Sequence, residues 1–156
     1  MNATVENLSD RPAFLGELVK WYVREWRPWY GPGGDGDADA DLAACLHGSD
    51  LPICLIALDR QDQLLGTASL RRSSVGSDQF DGVWLTALLV AENRRRQGSA
   101  DALIAEIETQ ARRFNPDNLY TSTEPSSRLL ERRGWAPVGE TGSLRGDLTI
   151  WCLPQA

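Results

Sequence analysis

At 156 residues, 42% hydrophobic and 24% charged, the chain has the size and composition of one globular domain spanning 1–156. No apolar run nears the roughly 20 residues that span a bilayer, and Met1–Asp10 is polar; both exclude a membrane role and predict a cytoplasmic protein. The net charge of −6 falls mostly on residues 1–50, where nine acids face four bases, and an acidic chain without a basic stripe excludes nucleic-acid binding.

From the N-terminus, Thr4–Leu8 reads as a short strand. Ser9 or Asp10 is a good helix N-cap, with Pro12 in the first turn. A helix is predicted from Arg11 to Trp26, because Phe14, Leu15, Leu18, Trp21, Tyr22 and Glu25 fall at helical spacing. Trp26, Trp29 and Tyr30 close it as an aromatic cluster that reads first as core. Gly31–Asp41 reads as a flexible acidic loop. Its aspartates do not make a calcium loop: counted from Asp35, position six is Ala40 rather than Gly, and position twelve is Leu46 rather than Glu. A helix over Asp39–His47 stops at Gly48. His47, the only histidine, reads as a charge at a helix end rather than a base.

Ile53–Leu58 and Leu64–Arg72 form a hairpin. Val83–Val90 is apolar on both faces, which marks a central strand. A second helix carries Ala100, Leu103, Ile104, Ile107, Ala111 and Phe114 on one stripe and ends at Asn115-Pro116. The strand Leu119–Thr123 then returns in parallel pairing. Ser126–Arg133 is a short helix stopped by Gly134. Trp135–Glu140 and Asp147–Leu153 close the chain as a hairpin, whose exposed edge is able to support a homodimer. Cys45, Cys54 and Cys152 are odd in number and lack a C-x-x-C spacing, so they predict reduced, mostly buried thiols and no metal site. The pattern as a whole predicts an α/β or α+β fold with a mixed sheet and helices on both faces.

Between the central strand and the second helix lies Arg94-Arg95-Arg96-Gln97-Gly98-Ser99-Ala100. A strand, a basic glycine turn and a helix N-terminus make a site for phosphate. Gly98 lets backbone approach a ligand, and guanidinium groups suit phosphate oxygens. The spacing matches neither familiar phosphate-loop pattern.

The spacing Arg95-x-x-Gly98-x-Ala100 resembles the acetyl-CoA signature of the GNAT N-acetyltransferase superfamily. Trp84–Val90 resembles that family's central strand, Leu119–Glu124 its next strand, and Leu129–Trp135 its late helix and Gly-aromatic turn. The resemblance implies a mostly antiparallel sheet of six to seven strands with splayed central strands. It implies acetyl-CoA as cofactor and a small-molecule amine as partner, joined without a covalent enzyme intermediate. It places the Leu88 backbone N–H at the acetyl carbonyl. Leu89 and Val90 lie along the pantetheine, and Arg95, Arg96, Gln97, Gly98, Ser99 and Ala100 lie at the pyrophosphate. Thr123, Ser126 and Leu129 form the facing wall. The acceptor side is assigned to Glu25, Trp26, Tyr30, Asp81 and Trp84. Leu130 stands where many members carry a tyrosine acid, Trp84 where some carry a glutamate base, and Thr123 where an asparagine is common. Ser126, Ser127 or water is then left as proton donor, and Glu124, Asp81, Glu25 or a water chain as base. The acidic N-terminal half favours a cationic amine. Two alternatives are an acetyltransferase of protein N-termini or lysines, and a non-catalytic acyl-CoA-binding module.

Overall fold

Residue periodicity decides which faces meet. The computed structural model describes residues 3–47, 50–95, 98–114, 116–123, 127–144 and 146–155. Its strands are β1 (Thr4–Asn7), β2 (Ile53–Leu58), β3 (Leu64–Arg71), β4 (Val83–Val90), β5 (Asn118–Thr123), β6 (Ala136–Ser143) and β7 (Gly146–Pro154). They form one sheet in the order β1-β2-β3-β4-β5-β7-β6. Every pairing is antiparallel except β4 with β5. The expected mixed, mostly antiparallel sheet is therefore present, with seven strands.

The helices are α1 (Leu15–Glu25), α2 (Arg27–Tyr30), α3 (Ala38–Ala43), α4 (Ser99–Ala111) and α5 (Arg128–Arg132). A parallel strand pair needs a crossover, and α4 supplies it. Its stripe Leu103, Ile104, Ile107 and Ala111 is buried against Ile53, Leu55, Ala68, Leu70, Val83 and Leu85. On the opposite face Leu18, Trp21 and Tyr22 of α1, with Leu42 of α3, pack on Cys54, Ile56 and Leu58. Alternation along β2 feeds both layers, so the whole strand is buried. Each fully buried Leu or Ile contributes about 1.5–3 kcal/mol. The three cysteines are free and buried, as expected. Among the described residues no helix is long and apolar enough to cross a membrane.

Local detail at the N-terminal elements differs in two places, while the acidic segment does supply the cap of α3. α1 is preceded by a 3-10 turn, Pro12–Phe14, and neither has a side-chain cap; Ser9 and Asp10 instead lie in an earlier 3-10 turn, Leu8–Asp10, capped by Asn7, which accepts from the Ser9 N–H at 2.9 Å. Asp37 caps α3, accepting from the Ala40 N–H at 3.0 Å. The acidic segment after α2 is wrapped back onto Trp29, not loose. The Gly36 N–H donates to the Trp29 carbonyl at 2.8 Å. A Cβ on Gly34 would lie 2.2 Å from that carbonyl oxygen, and one on Gly36 would lie 2.3 Å from the indole nitrogen. Glycine is needed here for closeness.

Candidate active site

The site begins with a fault in β4. Thr67 pairs with Leu89 and Ser69 with Thr86, so Ala68 faces two residues, Ala87 and Leu88. This is a β-bulge. Ala87 adopts a left-handed φ of 55°, which an L-residue enters at a cost of about 1–2 kcal/mol. The bulge resets the alternation. Val83 and Leu85 face α4, and Leu88 now joins them, while Ala87 and Leu89 turn toward α1 and α2.

Just past that level the sheet opens. β4 and β5 pair only through Val83–Leu119, Trp84–Tyr120 and Leu85–Thr121, although both strands continue. Among the described residues, the backbone of 86–90 thus has no strand neighbour on its β5 side. An extended ligand fits such an edge as an added strand.

The strand then turns through Ala91, whose N–H donates to Leu65 at 2.8 Å, and a 3-10 turn Glu92–Arg94. Gly98 is the N-cap of α4, with φ +83°. Beyond its chain neighbours, a Cβ built there would meet no atom of the described residues within 4 Å, so the space in front of the helix is open. Ser99 is buried, Ala100 half-buried and Arg95 exposed. A diphosphate fits this cradle of glycine, helix N-terminus and flanking guanidinium. Arg96 and Gln97, assigned to the same phosphates, and Glu124 and Ser126, assigned to catalysis, lie outside the described residues.

On the α1 side, Glu25 meets Leu89, Val90 and Arg95 around a cleft of about 170 Å³. This brings together residues assigned separately to acceptor and cofactor. Trp26 and Tyr30 pack against the same cluster as Ala87 and Leu89. The Tyr30 hydroxyl donates to Asp41 at 2.6 Å. Burial, and then that hydrogen bond, push its pKa up, so the phenol stays neutral. Tyr22 lies between Trp26 and Tyr30, at 5.2 and 5.5 Å between ring centres, and its hydroxyl bonds Ser69 at 3.3 Å. The result is a braced aromatic wall.

Other assigned residues fall elsewhere. Trp84 is a correction: its side chain is 0% exposed, stacked on Tyr120, with its indole N–H donating to the Phe80 carbonyl at 3.0 Å, so it touches no acceptor. Asp81 is exposed and does not line the Glu25 cleft. Thr123 ends β5 opposite Thr149, and Leu129 packs on the main core. Leu130 is itself core at 3% exposure, with its N–H capped by Ser127 at 3.2 Å. Sequence reading missed Trp21 and Arg24, which line the cleft with Glu25. Their spacing on one helix face was the available signal.

Asp59 holds the base of this region. It accepts from the Gln61 and Gln63 N–H groups at 2.8 and 2.9 Å and from Arg94 at 2.9 Å. The Gln63 N–H is the first cause of a carboxyl pKa held below its usual value, with Arg94 adding to it. A depressed folded pKa gives stability that is present above the unfolded value and lost as pH falls through the folded one. Asp59→Asn is therefore expected to lower the urea midpoint at pH 7. The gap from wild type should shrink as pH drops below the ordinary carboxylate range. A gap constant with pH would refute the charge as its source.

Residues 16–135 match the family model described as the Acetyltransferase (GNAT) family. No curated protein matches the chain significantly. Solved structures share the fold over nearly the whole length. Ribosomal-protein-alanine N-acetyltransferase from Brucella melitensis is 18% identical, with TM-score 0.73, covering 97% of this chain and 99% of that one. Aminoglycoside 6'-acetyltransferase type Ii is 17% identical, with TM-score 0.71, covering 99% and 97%. The Salmonella typhimurium protein yncA with its cofactor acetyl-CoA is 18% identical, with TM-score 0.72, covering 97% and 93%.

Proposed function

The chain belongs to the GNAT acetyltransferase family of acetyl-CoA-dependent acyltransferases, and from that premise we propose that it acetylates the primary amine of a small, cationic molecule in a ternary complex. One observation carries the reading. The bulge at Ala87, the opening between β4 and β5 and the glycine-capped start of α4 follow one another along one stretch of chain, and Glu25 stands across from it.

Bound acetyl-CoA supplies an activated acetyl thioester. The chain's part is positioning and charge. The Leu88 N–H steadies the carbonyl oxygen as negative charge grows there. The backbone of Leu89 and Val90 lies along the pantetheine. The turn from Arg95 through Arg96, Gln97, Gly98 and Ser99 to Ala100 holds the phosphates. An amine must be neutral to attack, so Glu25 or Glu124, through water, takes its proton. Trp26 and Tyr30 enclose the acceptor, and the acids of the N-terminal segment favour a cation. A thiolate leaves readily by comparison with an alkoxide, so Ser126 or water suffices where Leu130 offers no phenol. Cytoplasmic residence suits three unpaired thiols.

Release of CoA with a panel of amines tests the reading. Glu25→Gln is expected to cut kcat/KM at least tenfold, below the roughly 10²–10⁴ of a direct base, because the proton passes through water. Binding of CoA should stay unchanged. Equal turnover of acidic and basic amines would refute the charge preference.

A further inference from the structure

The cleft beside Glu25 continues past α1. Trp21 and Arg24 line both it and a groove of about 580 Å³ running between α1 and the turn joining β2 to β3. That volume lies in the roughly 300–1,000 Å³ range of small-molecule sites. The groove is lined by Glu17, Glu92, Gln63 and Asn93, together with Trp21, Arg24 and Arg94. The first four side chains are exposed and, among the described residues, are left to bond water or a ligand. An apolar ligand would strip water from them without return. A ligand carrying hydroxyls offers donors to the carboxylates and acceptors to the amides.

The groove is also braced on the side away from α1. The Asp59 carboxylate binds the Gln63 N–H at 2.9 Å and Arg94 at 2.9 Å, so it ties the turn carrying Gln63 to the turn carrying Asn93. A site already spaced loses little freedom when a ligand enters.

We infer that this groove is a second acceptor subsite, which takes the hydroxylated body of an elongated amine whose reacting nitrogen lies beside Glu25. The inference rests on the acetyl-transfer reading above and adds to it the chemistry and location of the acceptor's far end.

Three probes separate the two ideas: ethylamine, octylamine and N-(2-aminoethyl)gluconamide. The wild-type protein is expected to favour the gluconamide over octylamine at least tenfold in kcat/KM. Gln63→Ala and Asn93→Ala should each reduce that preference to below threefold, while ethylamine turnover and CoA affinity stay unchanged. Turnover of ethylamine without preference for the gluconamide, or a preference that survives both substitutions, overturns the subsite alone. Absence of turnover with all three amines overturns the acetyl-transfer reading beneath it, and the subsite falls with it.

Discussion

Gly98→Val is expected to weaken acetyl-CoA binding about 100-fold, close to 2.7 kcal/mol, while leaving the protein folded. Two separable effects act at this position. Its φ of +83° is left-handed, where a β-branched residue is strained by about 1–2 kcal/mol. That strain lowers stability modestly. The larger effect falls on the ligand. Beyond its chain neighbours, no atom of the described residues lies within 4 Å of a Cβ at this position, so a valine side chain extends into the open space before α4. That space is where backbone N–H groups and the positive end of a 13-residue helix would receive phosphate. Calorimetric titration of CoA, with circular dichroism as a folding control, decides the matter. Gly98→Ala should fall between wild type and valine. A folded valine variant with unchanged affinity would show that phosphate binds elsewhere.

Glu108→Ala is expected to cost about 3–5 kcal/mol of stability, the usual consequence of removing one member of a buried ion pair. Glu108 points inward from α4 and is 7% exposed. It accepts from Arg133 Nε at 2.8 Å, from Arg133 Nη2 at 3.0 Å and from the Trp135 indole N–H at 3.1 Å. Trp135 is 3% exposed, so its N–H would be left buried without an acceptor. The melting temperature should fall by about 10 °C, since 1 kcal/mol moves a domain of this size by roughly 2–4 °C. Asp101 also binds Arg133, at 2.9 Å, but its side chain is 55% exposed. Asp101→Ala should change little, as exposed pairs contribute about 0–1 kcal/mol. Equal losses in the two variants would contradict this account. The Arg133 pKa is raised, chiefly by its hydrogen bond to Glu108. Its stabilisation is present below the unfolded arginine value and fades only as pH rises past the folded one, so assays near neutrality see no change.

Much of this architecture was legible because it is periodic. Leu103, Ile104, Ile107 and Ala111 announce α4 by spacing, and Arg95-x-x-Gly98-x-Ala100 marks its start. The bulge was not legible. Nothing in Thr86-Ala87-Leu88-Leu89 requires a left-handed alanine; the register against β3 imposes it. The surroundings of Trp84, fully buried on β4, override its place in a family pattern. A tryptophan on a strand apolar on both faces is core first. Residues 31–37 looked loose because glycine and aspartate dominate them, and only the fold reveals the indole they close upon. The cleft was half legible: Glu25, Trp26 and Tyr30 were singled out, but that α1 would set Glu25 beside Leu89 and Arg95 depends on helix packing.

The wrapping of that segment around Trp29 separates shape from charge. Gly34 and Gly36 admit no side chain, whereas Asp35 and Asp39 are exposed. Exchange of either aspartate for lysine or serine leaves the backbone path in place, and exchange of either glycine does not. The segment is thus a fixed mount with replaceable fittings. The charge carried on this face is therefore free to change by single substitutions, with no loss of the scaffold beneath it.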